Sequence, residues 1–144
     1  MTPGQLDPVR VQRLLAALDQ TLHNLRGHQG RPLEALENAD ESWAVERGLQ
    51  LGAQLCLDLA THLLASAGRD AKDYTSAIDQ LGEIGVVPME FAESFRGIAG
   101  FRNVLVHGYL AVDKARVHEL LNQRLGDFSE FAGHVQAWLD RPGR

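Results

Sequence analysis

The chain has 144 residues, of which 44% are hydrophobic, and its formal net charge is −5. A chain of this length supports one hydrophobic core, so residues 1–144 are expected to form a single domain. The negative net charge argues against a general nucleic-acid binder. No apolar run could span a membrane and no secretory signal opens the chain, so we expect a cytoplasmic protein with no membrane partner.

Helical periodicity runs along almost the whole chain and predicts an all-α, up-and-down bundle of about five helices. The predicted helices run from Pro8 to about Leu25, from Asp40 or Ser42 to Ala67, from Thr75 to Glu83, from Pro88 past Phe101, and from a cap at Asp113 to Trp138. Asp7 is the expected N-cap of the first helix, and residues 33–38 form either a short helical turn or a loop. Cys56, the only cysteine, lies among leucines and is predicted to be buried.

The second predicted helix has two unusual faces. Gly48 and Gly52 lower its intrinsic stability, and we expect them to let a neighbouring helix pack closely. A polar stripe repeats every four residues along another face and consists of Glu46, Gln50, Gln54, Asp58 and His62. Such a stripe is compatible with a solvated surface, a cleft or a partner contact, and the sequence does not decide which.

The fourth predicted helix is apolar on two opposite faces. Phe101, Val104, Leu105, Gly108 and Val112 form one of them, and Ala99, Val106 and Leu110 form the other. A helix with two apolar faces is buried on both sides, and a chain this small has few elements to cover the second face. The pattern therefore predicts a homodimer.

Polar residues lie between these two faces. Arg102 is followed by Asn103, and His107 comes four positions after the asparagine. On an ideal helix Arg102 and His107 are about 140° apart, so they do not converge on one phosphate by spacing alone. Either the helix is irregular near Gly108, or a two-fold axis brings residues of two copies into one cleft, and we favour the shared cleft.

An arginine and a histidine without a metal suit RNA cleavage, in which the ribose 2′-hydroxyl is an internal nucleophile. Histidine can take the proton from the 2′-hydroxyl or protonate the leaving 5′-oxygen. A guanidinium can stabilise the pentavalent phosphorane, and Asn103 can orient the histidine or hold a phosphate oxygen. The other histidines show no metal-ligand spacing, so neither a metal nor another cofactor is expected.

The segment from Arg102 through His107 to Tyr109 resembles the signature of the HepT family of HEPN-domain toxins. The neighbouring segments 44–51, 85–88 and 99–103 also resemble that family, and the likeness extends over roughly residues 7–135. The resemblance implies a helical homodimer with metal-independent endoribonuclease activity, with Arg102 and His107 as the catalytic pair and Asn103 in support. It also implies a nucleotidyltransferase antitoxin of the MntA type that attaches AMP to Tyr109.

Two other functions are compatible with the same sequence. A catalytically silent HEPN-like module could bind a nucleotidyltransferase partner, and the net acidity favours this alternative slightly. A purely structural helical dimer would tolerate replacement of Arg102 and His107. The RNA substrate, the number of AMP units on Tyr109 and the stoichiometry with an antitoxin are not encoded in any recognisable motif.

Overall fold

A computed structural model describes residues 5–98 and 113–143 and shows an all-α bundle, as the helical periodicity predicted. Within these residues the α-helices are α1 (Pro8–Arg26), α2 (Ala39–Ser66), α3 (Tyr74–Glu83), α4 (Met89–Phe95), α5 (Lys114–Gln123) and α6 (Leu125–Leu139). A 3-10 turn at Leu33–Glu37 joins α1 to α2, which settles the ambiguity over residues 33–38.

Side-chain caps fix where the helices begin. The carboxylate of Asp7 accepts a hydrogen bond from the Arg10 amide at 3.1 Å, and that of Asp113 accepts one from the Arg116 amide at 3.2 Å. Both caps were predicted from the sequence. Helix α2 is capped by Asn38, which lies just before the predicted start and satisfies one of the free amides of the first turn.

The prediction of a single last helix from the apolar stripe is wrong, because this part of the chain forms two helices that are separated at Arg124. This residue has φ −119° and ψ 2°, outside the helical range, and its Nε lies 2.5 Å from a carboxylate oxygen of Asp127. Gly126, a poor helix former, follows the break. Since only one residue intervenes, Leu121 and Leu125 remain buried on the same side, and periodicity alone does not reveal the division.

The long fourth helix predicted from Pro88 is also interrupted. Helix α4 ends at Phe95 with Arg96 as its C-cap, and helical backbone resumes at Gly97 and Ile98. The predicted continuation through residues 99–112, with its two apolar faces, lies outside the described residues.

Helix α2 occupies the centre of the bundle and contacts α1, α3, α5, α6 and the 3-10 turn. Gly52 is buried against Phe128 of α6, and a Cβ on Gly48 would come within 2.6 Å of Leu25 on α1. The prediction that these glycines allow close packing is therefore confirmed. Cys56 is fully buried as predicted, and this burial raises the pKa of its thiol well above the ordinary value.

An aromatic cluster joins α4 to α6. The ring of Phe95 stacks on Phe131 with centroids 5.1 Å apart and meets Phe128 edge-on at 6.0 Å. Phe91 stacks on Phe95 at 5.0 Å, one helical turn earlier. This cluster fixes the end of α4, from which the chain enters the segment that carries Arg102 and His107.

Among the described helices, none is both long enough and apolar enough to cross a membrane.

Candidate functional site

The predicted catalytic residues all lie in one short stretch of chain. Arg102, Asn103, His107 and Tyr109 fall within residues 99–112, outside the described residues. The described helices on either side of this stretch are α4 and α5.

Described residues on both sides of this stretch line the same small cavity. Gly97 and Ile98 line it where the chain leaves α4, and Arg116 lines it on the first turn of α5. The cavity has a volume of about 90 Å³, and Phe128 and Leu120 form part of its floor. The aromatic cluster of α4 and α6 and the capped start of α5 thus anchor both flanks of the segment that carries the motif.

The two arginines of this cavity already have acidic partners. Arg116 forms an ion pair with Glu119 at 2.8 Å, and Arg124 forms one with Asp127. Each pair is local, three residues apart on the chain, and largely solvent-exposed, so each contributes little to stability. Both arginines line the cavity, and a nearby carboxylate balances the charge of each.

The polar stripe of α2 is half-buried along its whole length. Glu46 accepts a hydrogen bond from the Ser42 hydroxyl, and Asp58 accepts one from Gln54 at 2.8 Å. The possible Asp58–His62 ion pair is absent from the described structure, because the imidazole of His62 binds the chain near α1 instead. The stripe is therefore neither fully solvated nor part of the core.

The N-terminal part of the polar stripe lines a groove with a volume of about 460 Å³. Glu46 and Gln50 line it together with Trp43, Arg47 and Lys114, and the rim also includes Glu37, Ala39 and Ser42. We name this feature the Trp43 groove. Sequence reasoning missed Trp43, although an indole three residues before Glu46 on an otherwise polar flank was a visible signal.

His28, His118 and His134 make contacts within the bundle. His28 and Arg31 both bind the carboxylate of Glu41, at 2.8 and 2.6 Å, and these charge-assisted contacts hold the pKa of Glu41 below its ordinary value against the opposing effect of desolvation. His118 lies 2.9 Å from the carbonyl oxygen of Arg31, and His134 pairs with Glu130. Within residues 5–98 and 113–143, no cluster of three acidic, histidine or cysteine side chains could hold a metal ion.

His62 connects the end of α2 to the start of α1. Its Nε2 accepts a hydrogen bond from the Asp7 amide at 3.1 Å, which requires a neutral ring with the proton on Nδ1. Desolvation and the nearby charge of Arg10 lower the pKa of His62, although Asp7 opposes them. Protonation of the ring therefore removes the hydrogen bond.

This contact predicts a pH-dependent stability. Because the pKa of His62 is lower in the folded than in the unfolded chain, its contribution is complete above pH 6.5 and is lost as the pH falls below that value. The loss of one hydrogen bond, about 1 kcal/mol, corresponds to about 3 °C in Tm. Thermal unfolding at pH 7.5 and 5.5 checks this, with His62→Gln, whose amide oxygen does not titrate, as the control. Equal pH dependence in the two proteins would refute it.

The described residues form an all-α bundle built around the central helix α2. Residues 16–135 match the family described as Ribonuclease HepT-like. The chain therefore belongs to the HepT-like ribonuclease family.

Two relatives extend this family assignment. The tRNA nuclease HepT of Aphanizomenon flos-aquae is 26% identical over 137 residues, which are 93% of this chain and 92% of that protein. A putative RNase of Archaeoglobus fulgidus is 31% identical over 108 residues, 75% of this chain and 82% of the relative.

Solved structures show the same fold at low identity. A tri-AMPylated HEPN toxin of Shewanella oneidensis, solved in complex with an MNT antitoxin, superimposes with a TM-score of 0.80 at 17% identity, covering 88% of this chain and 96% of the toxin. The cytosolic protein YutE of Bacillus subtilis superimposes with a TM-score of 0.82 at 18% identity, covering 94% of this chain and 92% of YutE. The all-α HEPN fold is thereby established for this chain.

Proposed function

We propose that this protein is a metal-independent endoribonuclease toxin that acts in the cytoplasm as a single-domain homodimer. The observation that carries the proposal is the family match over residues 16–135, which includes Arg102, His107 and Tyr109 at the spacing of the motif. The similarity to a tRNA nuclease supports RNA as the substrate class. The bundle fold shared with the solved structures supports a frame on which a short catalytic segment is presented.

The chemistry needs only groups that this segment supplies. The 2′-oxygen of a ribose attacks the adjacent phosphorus, the bond from phosphorus to the 5′-oxygen breaks, and a 2′,3′-cyclic phosphate and a 5′-hydroxyl are left. One proton must leave the 2′-hydroxyl and one must reach the departing 5′-oxygen, so two copies of His107 in a shared cleft serve both transfers. Arg102 stabilises the negative charge of the phosphorane, and Asn103 orients the imidazole or a phosphate oxygen.

Regulation by a partner belongs to the same proposal. A tri-AMPylated toxin with an antitoxin shares this fold, which supports an MntA-type nucleotidyltransferase as the partner and Tyr109 as the acceptor. A bulky anionic adduct two residues after His107 would repel the phosphates of RNA and block its approach. No metal or other cofactor takes part in this scheme.

The experiment incubates total RNA with the purified protein in EDTA, after mass spectrometry has shown that Tyr109 is unmodified. We expect cleavage in EDTA at the rate seen with Mg²⁺, and loss of cleavage after treatment with the nucleotidyltransferase and ATP. Tyr109→Phe is the matched control, since it lacks the acceptor hydroxyl and should stay active after that treatment. Intact RNA in every sample would instead favour the catalytically silent binding module, and cleavage only with Mg²⁺ would exclude the metal-independent mechanism.

A further inference from the structure

Trp43 is the most exposed of the large hydrophobic side chains in the described part of the chain, at 77% of its surface. An indole in water is an unfavourable arrangement for the isolated protein, because its large apolar surface gains nothing from solvent. It lies on the second turn of α2, at the mouth of the Trp43 groove. Such exposure indicates a surface that binds something.

The surroundings of Trp43 are polar and charged. Arg47 and Lys114 supply positive charge to the groove, and Glu37 and Glu46 supply negative charge. Neither cation forms an ion pair with a described residue. Arg47 makes only a long contact of 3.4 Å to the side-chain oxygen of Gln50. Tryptophan and arginine are enriched at the centres of protein–protein interfaces, but lysine and glutamate are depleted there, so Glu46 and Lys114 count against a protein as the occupant.

A nucleotide fits this set of groups. A base needs an aromatic face on which to stack and side chains that reach its hydrogen-bonding edge, and its phosphate needs cations. Trp43 supplies the face, Glu46 and Gln50 supply acceptors and donors, and Arg47 and Lys114 supply the cations. The volume of about 460 Å³ lies within the range of sites that hold ligands of nucleotide size.

One residue of the groove follows the motif-bearing stretch closely in the sequence. Lys114 is the first residue of α5 and follows the 99–112 stretch by two positions. We propose that the Trp43 groove binds an unpaired nucleotide of the RNA substrate, with its base on the indole and its phosphate between Arg47 and Lys114. The inference rests on the proposed ribonuclease function and adds to it a subsite that selects single-stranded RNA.

Fluorescence can test this directly, because the chain contains only two tryptophans, Trp43 and Trp138. Trp138→Phe leaves Trp43 as the only indole, and the conservative change keeps a ring at a half-buried position that packs against the core. The probe is a mixed-sequence single-stranded RNA that is 2′-O-methylated throughout and cannot be cleaved. We expect its addition to quench the emission of Trp43 by stacking, whereas a fully paired RNA duplex should not quench it.

Affinity measurements with the same labelled RNA assign the contacts. Trp43→Ala should weaken binding roughly tenfold to hundredfold, and Trp43→Phe should recover most of the loss. Replacing Arg47 and Lys114 together with glutamine should lower the slope of log affinity against log salt by about 1.4, two phosphate contacts at about 0.7 each. Lys72→Gln is the matched control, because Lys72 is exposed in the loop between α2 and α3. Circular dichroism confirms that each variant is folded.

Several results would overturn the inference. Unchanged RNA affinity in Trp43→Ala excludes the stacking contact. A change of Trp43 emission with protein concentration alone assigns the surface to a second copy of the chain, and equal affinity for free AMP assigns it to a mononucleotide. None of these binding measurements needs catalysis, so the two proposals can fail separately. If the protein cleaves RNA but Trp43→Ala leaves its RNA affinity unchanged, only the subsite is refuted. If the groove binds RNA but the protein does not cleave it, only the proposed nuclease function is refuted.

Discussion

Replacing His107 with alanine is expected to lower the rate of RNA cleavage by about 100- to 10,000-fold, the range for the loss of a general acid or base. Arg102→Ala should lower it by about 100- to 1,000-fold, because a stabilising charge at the phosphorane is lost. Arg102→Lys should recover only part of this rate, since an ammonium lacks the planar fork of a guanidinium. Initial rates on one labelled RNA, with enzyme in excess, measure all three.

The control for these variants is His23→Ala. His23 is an exposed histidine on α1, so its loss changes the histidine count without touching the proposed site. We expect His23→Ala to cleave RNA at the wild-type rate. We expect His107→Ala to be folded but inactive. Full activity in His107→Ala would show that His107 is not the general acid or base, and it would contradict the proposed mechanism without affecting the family assignment.

The largest effect on stability is expected from Phe131→Ala. Phe131 is fully buried on α6 and stacks on Phe95, so truncation leaves a cavity between α4 and α6. Such changes cost about 3 to 5 kcal/mol in the free energy of unfolding, which corresponds to a Tm lower by about 10 to 15 °C. Urea and thermal unfolding followed by circular dichroism measure the change.

Trp43→Ala provides the matched aromatic control for stability, because its ring is exposed and leaves no cavity. We expect it to change the free energy of unfolding by less than about 0.5 kcal/mol. A loss below about 1 kcal/mol in Phe131→Ala would show that the aromatic cluster does not anchor α4. Reduced cleavage in a still-folded Phe131→Ala would support the view that the cluster positions the segment after α4.

The helical architecture could be predicted because amphipathic stripes and caps act locally. The Asp7 and Asp113 caps and the close packing at Gly48 and Gly52 all follow from short-range rules. The break at Arg124 could not be predicted, because a one-residue interruption keeps the apolar stripe in phase. It depends on the backbone dihedral angles at one residue, which periodicity does not report.

The motif residues were singled out by their types and spacing within residues 101–109, and their roles stay a prediction. The Trp43 groove was missed because one of its two cations, Lys114, comes from α5, whereas most of its other residues lie on α2. Lys114 and Trp43 are more than 70 residues apart in sequence, and only folding brings them together. His62 was identified as a member of the polar stripe, but its contact with Asp7 spans 55 residues and does not follow from local periodicity.

The most direct test of the central claim is the chemical nature of the cleaved ends. RNA fragments made by the unmodified protein in EDTA should carry 2′,3′-cyclic phosphates and 5′-hydroxyls, and an RNA with one 2′-deoxy residue at the cleavage point should resist. These results are required if the ribose 2′-hydroxyl is the nucleophile activated by His107. Fragments with 3′-hydroxyls and 5′-phosphates, or cleavage at the 2′-deoxy position, would contradict the account, because water would then be the nucleophile.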